Sequence, residues 1–245
     1  MKLKWYTLLL IALMATPVLA HEDEAKTIRF TCSVPSAMPQ AQVLEQYYHD
    51  AFAEMGYHFS MDYRPDRRSL AEAVSGASHG DCARIPEALT DKELAHVVPV
   101  DVVIGQTFMS IWGADAGKQE LDHIIQPENT ICYVDGNYSA RFWVNKLKQR
   151  YSERAPKFFK VPDFQSAIRM LTLERATHCL GVEVIFRNVV QQVNAQDSIH
   201  ENLRLGQIEA SPLIHKHHAH LIEPFTVALR KIIDERGIIG ANAKQ

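Results

Sequence analysis

Two short stretches hold the side chains best placed for chemistry, "GDCAR" (80–84) and "HCLGVE" (178–183). Each sets a cysteine in an apolar run and then delivers a charge, Arg84 in the first and Glu183 in the second. A guanidinium at the end of a strand can grip a carboxylate through two parallel hydrogen bonds. In an apolar neighbourhood it must have some partner, because a lone buried charge is costly. That partner is either a ligand or an internal acid, with Asp81 and Glu87 the nearest in sequence. Glu183 has a similar pair of readings. It can take a ligand ammonium, or face solvent at a helix start, where an acid suits the helix dipole. "GNYSARFW" (136–143) adds Asn137, Tyr138 and Ser139 at another helix start. Its backbone N–H groups could seat an anion, or ordinary capping could use them.

Catalytic patterns are missing from the sequence. It has no G-x-S-x-G elbow, no H-E-x-x-H and no phosphate-binding glycine loop. The chain is therefore expected not to be an enzyme. The alternative is a dehydratase or peptidoglycan-cleaving activity on the same kind of scaffold, with Glu183 or Glu87 as acid or base. "HKHHAH" (215–220) offers His215 with His218, or His217 with His220, at helical spacing. A third ligand and an orienting partner are not visible, so no metal and no cofactor are expected. A net charge of −3 without a basic block makes no case for nucleic acid.

The N-terminus sets the compartment. Lys2 and Lys4 precede the apolar run "WYTLLLIALMA", Pro17 interrupts it, and Val18 and Ala20 are the small residues a signal peptidase prefers. Residues 1–20 read as a signal peptide cleaved after Ala20, with the remainder exported to a periplasm. All four cysteines, Cys32, Cys82, Cys132 and Cys179, lie beyond that point, and an oxidising compartment suits disulfides.

The elements that position these residues come in two matching series. The first is "TIRFTCSV", then the helix "QAQVLEQYYHDAFAEMG" with Val43, Tyr47, Ala51 and Met55 every four residues, flanked by Leu44, Tyr48 and Phe52, the strand "YHFSMDYRP", the helix "SLAEAVSG" with a Ser69–Glu72 capping box, and "GDCARI". The second is "NTICYVDG", "SARFWVNKLKQRYSE", "KFFKVP", "DFQSAIRMLTLE" with Asp163 as N-cap, and "THCLGVEV". Each reads β-α-β-α-β with cysteines in its first and third strands, at separations of 50 and 47. A doubly wound sheet ordered 2-1-3 makes those strands neighbours. Cys32–Cys82 and Cys132–Cys179 are then the expected bridges, and four buried thiols the alternative. Ligands of such sheets bind beyond the carboxyl ends of the strands. Two facing lobes would line a cleft with those loops.

The opening strand, "GDCAR", "YVDGNYSA" and the tail "HKHHAHLIEPFTVALRKIIDERGII" together resemble the bacterial periplasmic solute-binding proteins of family 3, the polar amino-acid-binding type. The resemblance spans about 27–240. It implies an α/β, two-lobed type 2 periplasmic binding protein fold, each lobe a doubly wound, mostly parallel sheet, with two crossing hinge strands. "GQTFMSIWG" (105–113) and "LRLGQIEAS" (203–211) are the candidate crossings. Lobe 1 would be 21–108 completed by 210–245, and lobe 2 would be 112–205. The implied function is capture of a small polar or anionic solute, such as an amino acid, for an ABC transporter or a sensor, by a monomer. The implied ligand-binding set is Arg84, Ser36, Met38, Trp112, Asn137, Tyr138, Ser139 and Glu183. The sequence departs from that family twice. The loop after the first strand offers Met38 instead of an aromatic platform. The "TD" pair, Thr90 and Asp91, is not followed by the family's carboxylate-clamping arginine, so Arg84 would have to supply that grip.

Overall fold

The structure, a computed structural model, describes residues 27–240; the signal peptide expected at 1–20 lies outside them. The first half runs β1 (Thr27–Cys32), α1 (Pro39–Glu54), β2 (His58–Tyr63), α2 (Asp66–Ser75), β3 (Gly80–Arg84), α3 (Asp91–Leu94), β4 (Val97–Pro99) and β5 (Gly105–Gly113). The second runs α4 (Leu121–Ile124), β6 (Thr130–Val134), α5 (Tyr138–Arg150), β7 (Lys157–Val161), α6 (Phe164–Thr172), β8 (His178–Val182), α7 (Glu183–Gln192), β9 (His200–His215) and α8 (Ile222–Arg236).

Both series wind in the same way. β1 lies between parallel β2 and β3, and β6 lies between parallel β7 and β8. The long strand β9 connects them. Its residues 200–210 pair antiparallel with β5, which pairs with β8, and residues 211–215 pair with β3 and β4. The chain is thus two-lobed, with β5 and β9 crossing between the lobes. The disulfides Cys32–Cys82 and Cys132–Cys179 form, with Cα atoms 5.0 and 4.4 Å apart. The second pair are direct register partners on β6 and β8, and the first follows the Thr31–Asp81 pair on β1 and β3.

Each sheet buries apolar side chains on its faces. In the first lobe Phe30 meets Tyr48, Phe52, Phe59 and Phe225 edge-on, and Phe52 stacks on Phe225 at 4.4 Å. Edge-on aromatic pairs add attraction beyond the area they bury. In the second lobe Ile131, Val144 and Leu180 pack on one side of the sheet, and Cys132, Ile168 and Phe186 on the other.

Two local expectations change. The buried face of α1 is Leu44, Tyr47, Tyr48, Ala51 and Phe52, while Val43 is 40% exposed. A four-residue repeat drifts around a 3.6-residue turn, so its first member rotates out of the core. The second helix starts at Asp66, after Pro65, and Ser69 is no cap. Ser69 is fully buried and its hydroxyl donates to Asp81 Oδ2 at 2.6 Å. The capping box that does form is Thr90 with Glu93, at the start of α3.

Candidate ligand-binding cleft

A cavity of about 1140 Å³ opens between the two sheets. Its walls come from the loops after β1, β3, β6 and β8 and from the crossing strands β5 and β9. Strand-end loops from two lobes converge there because both sheets turn their carboxyl edges inward.

The loop after β6 turns on Gly136, whose φ of 82° is left-handed and free of Cβ strain only for glycine. It delivers Asn137, whose side-chain oxygen caps α5 by accepting from Ala140 N–H at 2.8 Å. Asp135 ahead of it pairs with Lys160 at 3.0 Å; that hydrogen bond holds its carboxyl below the usual range. The loop after β1 places Met38, 3% exposed, as the residue capping α1. After β8, Glu183 opens α7 without a side-chain cap before it.

Of the eight expected residues, Arg84, Met38, Asn137, Tyr138, Ser139 and Glu183 line the cavity. Ser36 and Trp112 do not. Ser36 is exposed on its loop. Trp112 is 3% exposed and stacks on Phe186 at 4.9 Å, inside the core of the second lobe.

Arg84 is 5% exposed and internally held. Its Nε donates to Asp81 Oδ1 at 2.9 Å and its Nη2 to Asp81 Oδ2 at 2.8 Å. Nη1 donates to the carboxylate of Asp66, and Nη2 also reaches the Asp66 carbonyl at 3.1 Å. Four of its five N–H groups are therefore taken. Burial alone would lower the guanidinium's pKa, but the two aspartates outweigh it and push it above the ordinary value. Asp81 was the partner named from the sequence; Asp66 replaces Glu87 as the second.

Glu183, 6% exposed, accepts from Arg187 Nη2 at 2.6 Å and Arg204 Nη2 at 3.0 Å. Arg204 also donates to Glu201 at 3.0 Å and lies over the Phe108 ring at 4.7 Å. Burial would raise the Glu201 carboxyl, yet hydrogen bonds from Ser110, Arg204 and Lys118 hold it below the usual range. Glu183 and Glu201 are both acceptors for arginine. Asp66 and Arg204 gave no sequence signal, being 18 and 21 residues from the groups they meet. The Glu183–Arg187 pair at i,i+4 was readable.

The histidines of 215–220 lie away from the cleft. His215 ends β9 and is buried, and the others sit in the short 3₁₀ turn Lys216–Leu221 rather than on a helix face. Among the described residues no group of three His, Cys, Asp or Glu side chains is placed to hold a metal ion.

No protein-family model matches the sequence, and no curated protein matches it. Solved structures match well in shape. The Bordetella pertussis BvgS periplasmic VFT2 domain superposes with TM-score 0.66 at 12% identity, covering 86% of this chain and 90% of that one. A histidine kinase sensor domain with similarity to periplasmic binding proteins gives 0.66 at 11%, covering 86% and 92%. The chain has the fold of the periplasmic binding proteins. The arginine-bound form of ArgBP from T. maritima shares it, with TM-score 0.63 at 11% identity over 86% of this chain and 98% of that one. Within this periplasmic binding protein fold the chain closes off its own "TD" position. Thr90 N–H and hydroxyl both donate to Glu93 Oε2, at 2.7 and 2.9 Å.

Proposed function

We propose that the chain is a periplasmic, non-enzymatic binding module that captures a small solute between its lobes and presents it to a transporter or a sensor. The cavity between the two sheets carries this reading. It is lined by strand-end loops of both lobes, and its size suits a small organic ligand. The sensor domain and the arginine-bound protein that share the fold fit capture followed by signalling or delivery. The reading divides the chain into lobe 1, 21–108 with 210–245, and lobe 2, 112–205, acting as one monomer. Capture then works by movement of the lobes about β5 and β9. The polar or amino-acid version of this reading needs a group other than Arg84 to grip a carboxylate, because Asp81 and Asp66 hold that guanidinium.

Native mass spectrometry of the protein isolated from periplasmic extract should show a retained small molecule. Adding that molecule back to stripped protein should raise the melting temperature and reduce the radius of gyration. A chain that carries nothing, and whose scattering and melting stay constant across a chemically broad panel, would remove the capture function.

A further inference from the structure

The helix α5 carries charge that its own stability does not explain. It holds four cations, Arg141, Lys146, Lys148 and Arg150, and no acid. All four are exposed. Among the described residues none of them meets a carboxylate, although Arg154 and Lys160 nearby pair with Asp122 and Asp135. Each lies instead by an aromatic ring. Arg141 is 4.2 Å from the Tyr138 ring, Lys146 4.8 Å from Trp143, Lys148 5.5 Å from Phe158 and Arg150 5.3 Å from Tyr151. The outer helix of the first lobe, α8, differs: its cations Arg230, Lys231 and Arg236 pair with Asp101, Glu54 and Asp50. Lys148 and Arg150 suit the C-terminal end of α5, but Arg141 stands in the first turn, where the helix dipole favours an acid.

Helical spacing arranges the set. Ala140, Val144 and Leu147 are the buried face. Arg141 and Lys148, two turns apart, share one flank, and Lys146 and Arg150, one turn apart, share the other. Half-buried Phe142 comes between the flanks on the outer side, with Lys146 5.9 Å from its ring. The result is a ridge, with cations down both sides and an aromatic ring along the top. A peptide docks in a groove, and an acidic protein would need carboxylates fixed at matching spacing. An anionic lipid surface needs neither. Its headgroups move sideways to meet each cation, and its acyl layer lies just below for an apolar ring.

We propose that α5 is a membrane-facing surface that docks the second lobe onto a bilayer rich in anionic lipid. The cation stems lie along rings while their heads reach lipid phosphates. Phe142 enters the headgroup layer between them. This rests on the helix alone and is independent of what the cleft binds.

The test is sedimentation of the mature protein with vesicles of phosphatidylglycerol and phosphatidylcholine in equal parts, against vesicles of phosphatidylcholine alone. Binding to the anionic vesicles should be strong at about 50 mM salt and fall severalfold at about 500 mM, with little binding to the neutral ones. Lys146→Gln, Lys148→Gln and Arg150→Gln combined should weaken it by about tenfold or more, since each removes a charge at the surface. Arg230→Gln, Lys231→Gln and Arg236→Gln combined should bind as the unmodified protein does. Phe142→Ala should weaken binding to anionic vesicles and leave binding to heparin, a soluble polyanion, unchanged. Equal sedimentation with both vesicle types, or with neither, overturns the proposal; that comparison uses the unmodified protein, so it decides even where a variant fails to fold. Loss in the α5 triple variant with no effect of Phe142→Ala would indicate a polyanionic macromolecule and overturn lipid as the occupant. An unchanged bound fraction in the α5 triple variant would place the lipid contact elsewhere and overturn the assignment to α5.

Discussion

Asp81 and Arg84 are three residues apart, and in a regular strand such residues point to opposite faces. They meet because the pairing of β3 with β9 shifts register between them. The irregularity turns the Arg84 guanidinium back onto Asp81, which is fully buried and also accepts from Ser69 and from the Ala83 N–H. Gly80 is fixed by contact as well: a Cβ there would overlap the Leu213 carbonyl oxygen and lie 2.7 Å from the Phe30 ring. The expectation at this scale is that Asp81→Ala lowers unfolding free energy by about 3–5 kcal/mol, because it leaves a buried guanidinium short of a partner. Asp81→Ala combined with Arg84→Met should recover part of that loss, read as denaturant midpoints. An equal loss in the double variant would mean the two residues do not act as a pair.

The far end of the first lobe collects histidines from several elements. His79 precedes β3, His96 precedes β4, His215 ends β9, and His217, His218 and His220 follow it. His79 Nδ1 accepts from the Arg29 N–H, and His215 Nδ1 from the His217 N–H, both at 3.2 Å, so neither nitrogen can be protonated without breaking a bond. The rings of His79 and His218 lie 4.4 Å apart. Burial first, then neighbouring cations (Arg29 for His79, other histidines for His215 and His218), keeps all three below the ordinary 6.5. The folded state therefore binds fewer protons than the unfolded chain below that value. The histidine contribution to stability should be level above about pH 6.5, fall as pH drops through it, and level again below the folded-state values. His215→Asn keeps an acceptor for His217 N–H and should flatten the slope in part, because His79, His218 and the buried His178 still contribute. Melting temperature against pH for the two proteins checks this, and an identical slope in both would remove His215 from the effect.

Across the whole molecule, the lobes touch outside the crossing strands at Ile85 and Ala88, which pack with the second lobe's core, and at Tyr138. Tyr138 opens α5 in the second lobe, yet it packs on Leu70, Ala73, Val97 and Leu213 of the first. The Arg84 guanidinium lies 5.8 Å from its ring and Arg141 lies 4.2 Å from it, so the ring is held by cations as well as by packing. Burial, and next the charge of Glu93, raise its hydroxyl above the ordinary value. Arg84 thus supports a lobe-to-lobe strap as well as an internal pair. Tyr138→Ala should let the cleft open further, giving a larger radius of gyration in ligand-free protein by small-angle scattering. An unchanged radius would show that the Tyr138 ring is not needed to hold the spacing.

Local order along the chain was enough to read the doubled β-α-β-α-β series, the expected partners of all four cysteines and the strand-end position of the cavity. Each of these follows from periodicity, turn residues and spacing within about 50 residues. Which charges remain available to a ligand was settled only by folding. Asp66 reaches Arg84 when α2 packs on the sheet, Arg204 reaches Glu183 when β9 crosses, and Trp112 turns into a core instead of the cleft. A strand's alternation tells which residues share a face, but the partner of a charged side chain is set by whatever element arrives beside it.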